Sequence, residues 1–64
     1  MTEENIKEML QQLANGELEE ARIKKEEFLF FREHLVKRDD FKHFRGIAER
    51  GGDVTFHYLK EPRS

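Results

Sequence analysis

The sequence predicts a mainly α fold: a three-helix small domain with one short C-terminal β-strand, that strand paired across a homodimer. Three observations lead there. Apolar residues recur at helical spacing from Ile6 to Ala48, and glycine stops stand at Asn15-Gly16 and Gly51-Gly52. After the second stop, "DVTFHYL" alternates with the period of a strand. At 64 residues the chain has room for a single domain, 1–64, near the lower size limit for folding alone.

The first helix is expected over about 3–14. Thr2 suits the N-cap, Glu3 and Glu4 suit the positive end of the helix dipole, and Asn15-Gly16 is a stop. Ile6, Met9, Leu10 and Leu13 then share one face. A second, longer helix is expected over 17–37, where Glu20/Lys24 and Glu33/Lys37 place acid before base at i,i+4. Its apolar arc comprises Leu18, Ala21, Phe28, Leu29, Phe31, Leu35 and Val36. Ile23 and Phe30, seven residues apart, point away from that arc, and His34 lies one turn beyond Phe30. These three form a candidate partner-binding stripe.

A third helix is expected over 40–50, capped by Asp39 or Asp40 and ended by the glycine pair. Its apolar face is Phe41, Phe44, Ile47 and Ala48. Gly46 falls mid-helix, at up to about 1 kcal/mol against alanine, a cost that a close helix crossing explains better than a bend. The strand occupies about 53–59, Pro62 ends it, and 60–64 is a tail.

A single strand cannot pair its own backbone groups. Residues 21–31 offer one partner within the chain, because Ala21, Ile23, Lys25, Glu27 and Leu29 alternate. That set mixes apolar and charged residues, and the helical arc is the cleaner pattern. Antiparallel pairing of Val54, Thr55, Phe56, His57 and Tyr58 with the same residues of a second copy is self-complementary, as a two-fold dimer requires. Val54, Phe56 and Tyr58 then face the helices, with Thr55 and His57 outward. A dimer also suits a chain with no cysteine to supply a disulfide and a core too small for much stability.

Composition excludes more than it assigns. Without cysteine there is no thiol catalysis, and the chain suits a reducing cytosol. No stretch approaches a membrane span, so the expected location is cytoplasmic, with no membrane partner. The hydroxyls of Thr2, Thr55, Tyr58 and Ser64 lack a nucleophile context, so no enzyme is expected. His34, His43 and His57 lie on three different elements without metal-ligand spacing, and "RGGD" follows a helix rather than a strand, so no metal, phosphate loop or cofactor is expected.

Charge is uneven: residues 1–20 carry six glutamates against Lys7, and 21–50 are mildly basic. The favoured function is a small cytosolic, non-enzymatic protein–protein interaction module, regulatory, acting as a homodimer or completed by a protein partner. The alternative is a nucleic-acid binder whose C-terminal half resembles a helix-turn-helix or trimmed winged helix, using Lys37, Arg38, Lys42, Arg45 and Arg50. The acids Asp39, Asp40 and Glu49 interspersed among these cations weigh against it.

Overall fold

The computed structural model describes residues 1–61. They form two helices and a three-stranded antiparallel sheet: α1 (Glu3–Asn15), β1 (Ala21–Ile23), α2 (Lys25–Leu35), one 3₁₀ turn (Phe41–His43), β2 (Phe44–Ala48) and β3 (Val54–Tyr58). This is an α+β domain, which corrects the expected mainly α three-helix bundle. Pro62 and the rest of the expected tail beyond residue 61 lie outside the described residues.

The first helix follows from local chemistry. The Thr2 hydroxyl accepts a hydrogen bond from the Asn5 amide at 3.1 Å, and Gly16 takes the left-handed C-cap conformation at φ 81°. The Glu17 amide then donates to the Gln12 carbonyl at 2.9 Å, satisfying a terminal carbonyl. Ile6, Leu10 and Leu13 form the buried face.

The strand order is β1-β3-β2, so β3 is central. Ala21 pairs with Phe56 and Ile23 with Val54 on one side; Arg45 pairs with His57 and Ile47 with Thr55 on the other. The Glu49 amide bonds to the Asp53 carbonyl and the Leu59 amide to the His43 carbonyl, both at 2.7 Å. Antiparallel ladders alternate, so the odd-numbered residues of β2 turn their polar groups toward β3. Thr55 and His57 therefore bond to β2, and Val54 and Phe56 to β1. Both edges of β3 are occupied within one chain. The expected pairing of Val54–Tyr58 across a two-fold axis has no free edge to use and is corrected.

The helix expected over 17–37 is broken, because its first part supplies β1. Glu20 and Lys24 flank this strand instead of pairing on a helix. Lys24 has no capping side chain to offer α2, and the missing acceptor comes from 28 residues away. Asp53 Oδ1 accepts from the Lys25 amide at 3.2 Å, while Oδ2 lies 3.2 Å from Arg22 Nε. The carboxylate thus joins β1, α2 and the hairpin turn.

The helix expected over 40–50 is the 3₁₀ turn followed by β2. Asp40 precedes the turn without capping it. Gly51 and Gly52, at φ 92° and 98°, make the hairpin turn rather than a helix stop, and the Gly52 amide donates to the Glu49 carbonyl at 3.1 Å. Gly46 is a strand residue opposite Phe56, where a Cβ would stand 3.0 Å from the Phe56 ring and 3.1 Å from Val54 Cγ1. A close strand contact, not a helix crossing, explains it.

Both helices cover one face of the sheet. Ile6, Leu10, Leu13, Ile23, Phe31 and Phe44 are buried there, and the Phe56 ring lies 4.9 Å from Phe31 and 6.2 Å from Phe28. Leu29 and Val36, assigned to the buried arc by periodicity, are 71% and 44% exposed.

In amide hydrogen exchange followed by NMR, Arg45, Ile47 and residues 54–57 should be protected at every protein concentration, and Gly46 and Ala48 should exchange quickly. Protection of β3 that fades on dilution would instead return its pairing to a dimer. Asp53→Ala should destabilise by about 1–2 kcal/mol through loss of the cap and the Arg22 contact, lowering Tm by roughly 5–15 °C in calorimetry.

Candidate functional site

Two features meet at β2, one from backbone and one from side chains. The odd-numbered residues bond to β3, so Gly46 and Ala48 aim their N–H groups, and Phe44 and Gly46 their carbonyls, at the open side of the sheet. Arg45, Gly46, Ile47 and Ala48 are all exposed. β1 also has an outer edge, but it is only three residues long and carries Arg22 at its centre.

Beside the β2 edge lies an apolar cleft of about 380 Å³. Phe28, Arg32 and Leu35 of α2, with its C-cap Val36, line one side. Phe44, Gly46, Ala48, Val54 and Phe56 of the sheet line the other, with Phe41 from the 3₁₀ turn. The cleft exists because the helices pack over β1 and β3, while Gly46 and Ala48 contribute almost no side chain over β2. Arg32 is the single charged residue in the lining. Val36, Phe41 and Ile47 add exposed apolar surface around it, and Leu29, Arg32 and Val36 form one outward row along α2.

A family described as YkzS-like protein is matched over residues 3–57, from the first residue of α1 almost to the end of β3. The chain belongs to the YkzS-like family. Neither a curated protein nor a solved structure matches it. In this YkzS-like chain the matched span contains the whole β2 edge and every residue of the cleft.

The residues singled out in the sequence disperse. Ile23 is fully buried in the core, so the stripe Ile23–Phe30–His34 is not one surface; β1 ends at Ile23 and α2 begins after it. Phe30 is exposed, its ring edge-on to His34 at 5.2 Å, and His34 Nδ1 lies 4.0 Å from a Glu3 carboxylate oxygen. Among the strand residues, Phe56 faces the helices and Thr55 donates to Glu49 Oε1 at 2.9 Å. His57 and His43 each place Nδ1 against a carbonyl, Glu19 at 3.2 Å and Leu59 at 2.8 Å, so that nitrogen carries the proton in both.

The cations Lys37, Arg38, Lys42, Arg45 and Arg50 are spread over a connection, the 3₁₀ turn, β2 and the hairpin turn. No helix carries them, so the recognition helix of the helix-turn-helix reading is absent. Arg38 is committed elsewhere. Its guanidinium contacts Asp40 at 2.8 Å and lies 5.8 Å from the Phe44 ring centre. The hydrogen bond from Arg38 holds the Asp40 carboxyl below the usual carboxylate range, and the same bond raises the Arg38 pKa. The Tyr58 hydroxyl donates to Asp40 at 3.3 Å, and burial first, then the Asp40 charge, pushes its pKa up. Among the described residues no three His, Asp or Glu side chains gather as a metal-ligand set.

Sequence reasoning missed the cleft residues Phe28, Arg32, Val36, Phe41, Gly46 and Ala48. The signal was present in "FRGIA", where small residues alternate with Arg45 and Ile47 as in a strand.

Because the Asp40 pKa is depressed on folding, the stabilisation it gives is complete above about pH 4 and is lost as pH falls through the lowered value. Acid titration of Asp40→Asn followed by circular dichroism should therefore show a shallower loss of stability below about pH 4 than the native chain, with a cost of about 1 kcal/mol at neutral pH.

Proposed function

We propose that this chain is a small, non-enzymatic protein-interaction module that takes up an extended segment of another protein along the β2 edge. The observation that carries this is the coincidence of free N–H groups at Gly46 and Ala48 with the apolar cleft directly beside them. Strand addition uses both: main-chain bonds supply affinity, and a pocket for alternate side chains supplies specificity.

The cleft is apolar, with one charged group in its lining, and the ring N–H groups of His43 and His57 are engaged by carbonyls. That chemistry suits binding rather than acid–base work. The lack of cysteine suits a reducing compartment such as the cytoplasm, where such a module would act in regulation. No helix among the described residues is long and apolar enough to cross a membrane. A second copy of the chain is one route to such pairing, and β2 is the longer of the two edges open to it.

Affinity capture from native cytosol, compared between variants, tests this. Ala48→Pro removes an outward N–H without touching the β3 ladder, and Phe30→Glu alters a surface outside the cleft, beside His34. Polypeptides held by the native chain and by Phe30→Glu, but lost with correctly folded Ala48→Pro, are the expected result. Loss with Phe30→Glu alone moves the interaction away from β2.

A further inference from the structure

The chemistry of the segment can be read from what surrounds the edge, granted the strand-addition reading above. Arg32, Arg45 and Arg50 are exposed, and their side chains have no hydrogen-bonded or ion-pair partner among the described residues. Three carboxylates of the neighbouring segments already have partners. Asp40 is held by Arg38, Asp53 by Arg22 and the Lys25 amide, and Glu49 accepts from Thr55.

Strand geometry then sorts the positions. Phe44, Gly46 and Ala48 lie on the cleft face, while Arg45 and Ile47 lie on the opposite face with Thr55 and His57. A segment added outside β2 places alternate side chains over the cleft and the others beside Arg45, about 5 Å between opposed Cβ atoms. We infer that the β2 edge selects an extended acidic peptide of alternating pattern, with apolar side chains entering the cleft and carboxylates meeting Arg45 on the other face. Arg32 in the cleft lining adds a second cation, on the face that the apolar side chains enter.

A second copy of this chain fits less well. Antiparallel self-pairing centred on Gly46 sets glycine against glycine, and the Phe44 that it brings opposite Ala48 is already buried in its own core and does not fill the other copy's cleft. It also brings two Arg45 side chains, each opposite Ile47, diagonally onto one face of a continuous sheet, with no carboxylate from the partner β2 to meet either.

The test uses the intact chain and two fluorescein-labelled heptapeptides, one alternating Glu with Val and one alternating Lys with Val, followed by fluorescence anisotropy at low salt. The Glu peptide should bind at least about fivefold more tightly than the Lys peptide, with Arg45→Glu reversing that order. Ala48→Pro should abolish binding of the Glu peptide. So should methylation of the peptide's own amides, which leaves the protein unaltered should Ala48→Pro fail to fold. Equal binding of both peptides, still abolished by amide methylation, overturns the acidic preference and keeps strand addition. If neither peptide binds, or if binding survives methylation, both readings fall. A sedimenting dimer that competes with the peptide makes a second copy the occupant, and a single-stranded oligonucleotide that displaces the peptide makes it a nucleic acid. Either result overturns the proposal.

Discussion

The central strand, Val54–Tyr58, hydrogen-bonds to a neighbour on each side, and most other features follow from that requirement. Exposed main-chain groups within a sheet are costly unless paired or solvated, by about 1–3 kcal/mol each when buried. Here β3 recruits Ala21–Ile23 from more than thirty residues earlier and Phe44–Ala48 from across a tight glycine turn. Recruiting β1 breaks what would otherwise be a continuous helix, and recruiting β2 removes the third helix altogether.

Two side chains make this arrangement cooperative. Asp53 ends the hairpin turn, caps α2 and reaches Arg22, so the start of α2 is coupled to closure of the hairpin. Phe56 carries the apolar counterpart, with its ring against Phe31 and Phe28 and its edge against the space left by Gly46. A larger residue at position 46 would press on the Phe56 ring and on Val54, and overpacking of this kind costs about 1–3 kcal/mol. In a chain with no disulfide, such long-range ties take the place of a covalent link.

The same construction leaves one liability open. Natural sheets blunt their edges with charge, proline or short length. β1 is short and carries Arg22, whereas β2 is longer and lies beside a cleft that the two helices do not cover. This edge, with its outward amides and adjoining apolar cleft, lies inside the span matched by the YkzS-like family.

The sequence by itself determined the first helix, because Thr2, the first-turn acids and Gly16 act within a few residues of one another. It also determined that residues 54–58 are extended, through strict alternation of Val54, Phe56 and Tyr58. Only the tertiary structure decided that Ala21–Ile23 is a strand, that α2 begins at Lys25, and that "FRGIA" lies beside Phe56. Locally, residues 17–37 carry a good helical arc, and the alternation of Ala21 and Ile23 is too brief to outweigh it. The deciding groups were the ladder bonds of β3 and the Asp53 carboxylate. They act across distances in the chain at which periodicity and capping signals carry no information.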